Sequence, residues 1–321
     1  MITAVASIGA LTRAGSLPLP PLDVHQLVTR WECQPLPLVS LLAVAGLYLW
    51  GVQRLSKRGD RWPMGRTFAF VGAIAVAAYA VLGGVAAYDG VLFSAHMAQH
   101  MLLAMVVPVL LALGAPITLA LRTLPTRPRA VLLTMLQSRV ARALSSPLVG
   151  LGLFVATPFA FYFTGIYPYT LDHTWAHYLA HVHLVTVGCI FFWPLLGIDP
   201  LPHRPPHWAR VLVLFLSLPF HAFFGLAIMS ATSVIAAGHY ARVARTWGSS
   251  AINDQYTGGG LIWATGDILG GFIFLTVLIQ WSRADEREAK RVDRQLDRED
   301  AALDAYNARL AALAAEDAAG R

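Results

Sequence analysis

Charge is scarce in this chain. Asp, Glu, Lys and Arg make up 13% of its 321 residues while 56% are hydrophobic, and a soluble globular domain carries nearer a quarter charged residues. That shortage argues against an ordinary water-soluble fold. Cysteine is nearly absent too. Cys33 falls near an outer surface and Cys189 deep in an apolar run, so neither a structural disulfide nor a thiolate metal site is expected. The first twenty residues hold no basic stretch ahead of an apolar core, so no secretory signal is read there. A phosphate-binding glycine loop, a Gly-x-Ser-x-Gly elbow and paired carboxylates are missing as well. No enzymatic role is therefore expected. The basic residues sit singly in short loops and form no face for nucleic acid.

What is present is a series of apolar runs, each near the roughly 20 residues that cross a bilayer. They fall at 36–53, 67–87, 94–121, 147–165, 173–196, 208–236 and 258–281. The fold class predicted is all-α: a polytopic membrane bundle of about seven transmembrane helices. Gly114-Ala115-Pro116 is read as an early end to the third. Lys and Arg cluster in the loops after the first, third and fifth runs and in the tail, leaving Arg13, Arg30, Arg242 and Arg245 for the opposite side. The positive-inside bias then places the N-terminus outside and the C-terminus in the cytoplasm. Three parts follow: an extracytoplasmic segment 1–35, a transmembrane domain 36–281 and a charged helical tail 282–321. Residues 128–144 set Val131, Met135 and Val140 among arginines, as either an interfacial helix or an ordinary loop helix. In the tail, Leu296, Leu303, Leu310, Tyr306 and Leu313 fall at heptad spacing, too briefly for a coiled coil; a solvated helix is the reading.

Histidine is the residue in excess, with eleven in so apolar a chain. His96 and His100 stand four apart at the outer start of span three, hence on one helix face. His173, His177 and His181 repeat that spacing in span five, and His183 points elsewhere. His221 lies about 20 Å into span six, counted from the inside. Asp267 reaches a similar depth in span seven and is the sole acidic residue inside a run. Ionisable groups in hydrocarbon are costly and mark function by default, and neutral imidazole is the commonest metal ligand. Met97, Met101 and Met105 follow one position behind the histidines. Thioether with imidazole suits Cu(I), although the same methionines serve equally as core packing. His203 and His207 sit in a Pro-rich inner loop and are read as solvated or lipid-contacting, and His25 and His239 as isolated outside. Asp254-Gln255-Tyr256-Thr257-Gly258-Gly259-Gly260 is read as a flexible turn or as a lid that supplies Asp254 and Gln255 as hydrogen-bond partners to the histidines.

The run from Ser94 to Pro116 (S-A-H-M-A-Q-H-M-L-L-A-M-V-V-P-V-L-L-A-L-G-A-P) resembles the signature of the CtaG family of cytochrome c oxidase assembly factors, in its polytopic Gram-positive form. The H-x-x-x-H-x-H of span five, F-H-A-F-F-G around His221 and D-Q-Y-T-G-G-G-L-I-W from Asp254 match in order, covering about 69–280. Asp267 departs from the pattern, which would have a small residue there. The resemblance implies a multi-pass protein of the bacterial plasma membrane that helps mature a haem–copper oxidase by delivering metal on the outer side. His96, His100, His177, His181 and His221 would be its functional histidines, with oxidase subunits as partners. Copper, as Cu(I) in an open coordination, is the cargo expected. A b-type haem held axially between two helices is the alternative, and a metal-free scaffold with hydrogen-bonded histidines is a third.

Overall fold

The computed structural model describes residues 19–202, 205–243 and 245–319. The expectations attached to Arg13, His203, the Leu313 side chain and the first half of segment 1–35 fall outside what is described. No strand occurs among the described residues. Helix α1 (Val24–Thr29) is capped by the Asp23 carboxylate, which accepts from Gln26 N at 2.7 Å. Helix α2 (Pro35–Lys57) opens on a proline in its first turn, where a missing N–H costs nothing. Helices α3 (Met64–Leu82) and α4 (Gly84–Tyr88) follow. The third span is segmented: α5 (Phe93–Met101), a π-helical turn (Leu102–Val106), α6 (Val107–Gly114) and α7 (Pro116–Thr123). Short helices α8 (Thr126–Leu136) and α9 (Arg139–Leu144) come next, leaving Val131, Met135 and Val140 exposed. Then α10 (Pro147–Tyr162) bends by 66° into α11 (Ile166–Asp172). The chain ends with α12 (Thr174–Leu196), α13 (His207–Met229), α14 (Ala237–Arg242) and α15 (Ala251–Ala319).

Among the described residues six helical segments are long and apolar enough to cross a membrane, seven if the bent α10–α11 pair is counted as one span. Two boundaries differ from the sequence reading. The sixth span leaves helical geometry at Met229 instead of reaching 236, and the chain turns there with Ile235 N donating to Gln255 Oε1 at 2.7 Å. The seventh begins at Ala251, so the Asp254–Gly260 stretch is neither a loop nor a lid but helix. Its glycines are kept helical by packing. A Cβ on Gly258 would lie 2.7 Å from the Phe93 ring, and one on Gly259 would lie 2.7 Å from Met229 Cγ. Close approach to two neighbours outweighs the roughly 1 kcal/mol helix penalty of each glycine.

Unpaired backbone groups are costly in hydrocarbon, so the breaks in span three need partners. Pro108 has no N–H for Ala104 O, and Val107 N instead bonds Leu102 O across the π-turn. Gly188 of α12 fits against that Ala104 carbonyl and the Pro108 ring, where any Cβ would collide. At the second break Ala115 takes a left-handed conformation (φ 49°), and Tyr48 donates to the Gly114 carbonyl at 2.8 Å.

The two ends of the bundle differ. At one, here the arginine end, Arg58 donates to Arg122 O and Arg122 pairs with Asp60 at 3.6 Å. Asp199 is fully buried there and accepts from Thr118 N (2.8 Å), Thr118 Oγ1 (2.5 Å), Ile117 N (3.3 Å) and Trp193 Nε1 (3.0 Å), capping α7 from another segment. The opposite, histidine end gathers the loops around 83–92, 163–173 and 230–250. Apolar side chains such as Leu36, Leu42, Leu47, Phe215 and Phe223 are exposed along the spans, as lipid-facing side chains are. The chain divides into two compact units, one ending at Phe274 and one beginning at Leu275. In the second, Leu296, Leu303, Tyr306 and Leu310 are exposed on a charged helix.

Candidate metal centre

The centre is built from the start of α5. Asp254 reaches across to cap that helix: Phe93 N donates to its Oδ2 at 2.6 Å and Ser94 Oγ to its Oδ1 at 2.5 Å. With its first turn pinned, α5 presents His96 and His100 on one face, four residues apart. Both are buried, and both meet the Tyr162 hydroxyl from the end of α10, His96 through Nε2 at 2.9 Å and His100 through Nδ1 at 3.0 Å.

Helix α12 brings His177 and His181 alongside. His177 Nε2 lies 2.7 Å from Asp89 Oδ2, with both residues buried. A carboxylate accepts, so His177 carries its proton on Nε2 and presents Nδ1 as the lone-pair nitrogen. The same logic reaches His181. Gln99 donates its amide nitrogen to Ala80 O at 2.8 Å, which fixes Oε1 as the atom 3.0 Å from His181 Nε2. His181 therefore donates from Nε2, and Nδ1 is its acceptor nitrogen. Asp89, His177 and His181 each offer a ligand atom within 4.8 Å of the others. The His96 ring stands 6.1 Å from that of His177. Among the described residues, Nδ1 of His96 and Nδ1 of His177 are buried with no hydrogen-bond partner. Two orphaned imidazole nitrogens with a carboxylate behind one of them is the donor set a transition metal takes.

The remaining predicted residues separate into three places. His221 sits on α13 with its ring 5.3 Å from Phe154 and hard against Gly266, where a Cβ would fall 2.6 Å from Cδ2. It shares with His100 and Met101 a small cavity of about 20 Å³, closed by Phe154, Phe159, Phe224 and Ile262. Asp267 follows Gly266 and keeps a buried Oδ1 with no partner among the described residues. His173 is apart from the centre: it ends α11, stacks on Tyr169 at 4.0 Å and bonds the Tyr169 carbonyl at 2.9 Å. Met97 is fully buried against Gly258, as a packing residue would be, while Met101 lines the His221 cavity. Among the described residues, Asp254 and Gln255 make no hydrogen bond to a histidine. Gln255 instead holds the 230–236 turn, accepting from Ile235 N at 2.7 Å.

His239 is not the isolated group its sequence position implied. Its Nε2 lies 2.8 Å from Gly90 O and its Nδ1 3.5 Å from Asp172, which also receives Arg242 at 2.6 Å. Beside it the Tyr240 hydroxyl meets that of Tyr167 at 2.7 Å, and Tyr167 covers His96 with ring centroids 4.7 Å apart. Burial pushes the Tyr240 hydroxyl above the usual phenol range, so this cover stays uncharged. His207 is partly exposed at the start of α13, with its Nδ1 buried. Cys33 and Cys189 are both free thiols.

Asp89 is the functional residue the sequence reading passed over. A signal existed: between Arg66 and Arg122 it is the one Asp, Glu, Lys or Arg, seven residues before His96.

Fold and site together define a polytopic helical membrane protein with a buried imidazole–carboxylate centre at one end of its bundle. The chain belongs to the cytochrome c oxidase caa3 assembly factor family, whose pattern matches residues 46–284. It is 40% identical over 306 residues to uncharacterized proteins of Mycobacterium bovis and Mycobacterium tuberculosis, and 38% identical to one of Mycobacterium leprae. Each alignment covers 92% of this chain and 46% of the relative, so the chain spans about half the length of the curated relatives it matches. No solved structure matches it.

Proposed function

We propose that the protein carries Cu(I) at its histidine end and passes it to a subunit of a haem–copper cytochrome c oxidase during assembly of that enzyme. The observation that carries this reading is the pair of buried, unpartnered Nδ1 atoms on His96 and His177, with Asp89 holding the far nitrogen of His177. A hydrogen-bonded carboxylate behind an imidazole orients it and raises its basicity toward a metal. With Asp89 in that supporting position, the donors facing the ion are neutral nitrogens, which suit a soft monovalent cation of low coordination number better than a hard divalent one. His181 adds a third imidazole. Such a set is open compared with a closed four-ligand structural site, and a carrier must release what it binds.

The family's printed role in oxidase assembly supplies the biological setting. An assembly role needs no catalysis. The arginine-rich end would face the cytoplasm and the histidine end the opposite side of the bacterial plasma membrane, following the positive-inside bias. The tight aromatic packing around the histidines and the 20 Å³ cavity leave room for an ion or a water, which favours copper over haem as the group held.

The test is a titration of the purified full chain with Cu(I) under reducing conditions against a chromophoric chelator. Wild type is expected to retain the ion and His96→Ala/His177→Ala to yield it. Equal retention by both proteins would sink the reading, and so would a Soret band in the wild type.

A further inference from the structure

The five histidines form two groups with one hydroxyl between them. On one side lie His96, His177 and His181 with Asp89; on the other, His100, Met101 and His221 around the small cavity. Tyr162 touches both groups, through His96 Nε2 and His100 Nδ1. A phenol has a single proton, and a neutral imidazole has one donor nitrogen and one acceptor. When Tyr162 donates to His96 Nε2, His96 carries its proton on Nδ1, and His100 donates from Nδ1 and holds a lone pair on Nε2. When Tyr162 donates to His100, the pattern inverts: His96 Nδ1 gains the lone pair and His100 Nε2 the proton. In either arrangement the hydroxyl and the two ring nitrogens facing it are paired, and one histidine offers its far nitrogen to a metal; freeing both at once would leave the Tyr162 O–H without an acceptor.

We propose that His100, Met101 and His221 form a second Cu(I) station, and that the Tyr162 hydroxyl makes His96 and His100 alternate as ligands between the two stations. The proposal rests on copper being the cargo. Two imidazoles and a thioether are a donor set for Cu(I). The cavity they share is the size of one water or one ion. Its other walls are apolar (Phe154, Phe159, Phe224 and Ile262) and offer no competing ligand. His221 is held in place by the missing side chain of Gly266 and by the Phe154 ring, and the next residue, Asp267, keeps a buried Oδ1 without a hydrogen-bond partner among the described residues. An ion loading the His96–His177 station sets Tyr162 to donate toward His100 and closes the second station; release reverses the setting. The hydroxyl thus opposes double occupancy and favours handover.

The experiment is an anaerobic Cu(I) titration of the full chain in detergent, with copper-edge X-ray absorption on the loaded samples. Wild type should bind two ions, the second about tenfold more weakly than the first, a modest coupling between sites. Tyr162→Phe keeps the ring and removes the shared proton, so both stations should load with nearly equal affinity. Met101→Leu should abolish the sulfur scatterer, and His221→Ala should reduce the stoichiometry to one. If His221→Ala does not fold, the sulfur signal in wild type and Met101→Leu decides the matter. A single ion in wild type that depends on His177 and is indifferent to Met101 and His221 overturns the second station but leaves the carrier reading intact. Coupling that survives in Tyr162→Phe overturns the alternation. Failure of wild type to hold any Cu(I) removes both proposals together.

Discussion

Two buried carboxylates, one at each end of the bundle, are put to different uses. Asp199 is fully enclosed at the arginine end, and its oxygens are consumed by two backbone amides, a threonine hydroxyl and an indole. Everything it touches is a neutral donor that would otherwise be stranded. Asp89, equally buried at the histidine end, faces an imidazole whose second nitrogen has no partner. The first carboxylate ends a chain of interactions and the second begins one. Burial of an acid therefore does not announce function; what distinguishes the two is whether the partner has a further atom left to act with.

The contrast can be broken in order of size. Asp199→Ala strands four donors in the interior and should lower unfolding free energy by about 3–5 kcal/mol, read as a depressed melting transition. Cu(I) affinity of the protein still folded should not change; if it falls as far as stability does, the two carboxylates are not distinct in kind. Asp89→Asn should do the reverse. An amide accepts from His177 less strongly, and loss of such a supporting carboxylate typically costs about 10–100-fold in metal affinity, with melting close to wild type. Asp254→Ala tests a third case, a carboxylate that caps the histidine-bearing helix without touching a histidine. Loss of an N-cap costs about 1 kcal/mol, and any effect on Cu(I) should be no larger than that loosening. The smallest effect belongs to His173→Ala, where a half-solvated stack on Tyr169 is removed. A stability change within about 0.5 kcal/mol and unaltered Cu(I) stoichiometry are expected; loss of an ion would return His173 to the centre.

The spans were legible because a bilayer imposes a length, and runs of apolar residues meet it whatever their partners are. The His96/His100 and His177/His181 pairs were legible for a related reason, since four-residue spacing on one helix is local. Asp89 was hidden because its partner is 88 positions away, and the pairing exists only once the end of α4 lies beside α12. The same limit explains the glycines at 258–260. Read locally they break a helix, and in the bundle they are the contact with Phe93 and Met229. Counting residues assigns His221 a depth, but depth cannot assign it to a side of Tyr162.

The π-helical turn at Leu102–Val106 holds one residue more than an α-helix of the same rise would need. Each residue advances an α-helix by about 100°, so that extra residue sets the rotational phase of the histidine half of span three against the half wedged by Pro108 and Gly188. Forcing the turn into regular α geometry with that residue still in place would swing His96 and His100 together by about 100° away from Tyr162, with every ligand still present in the sequence, whereas deleting one residue would let the turn close as α with both histidines in phase. The widened turn, which carries none of the histidines, is thus the indexing mark that keeps the centre in alignment.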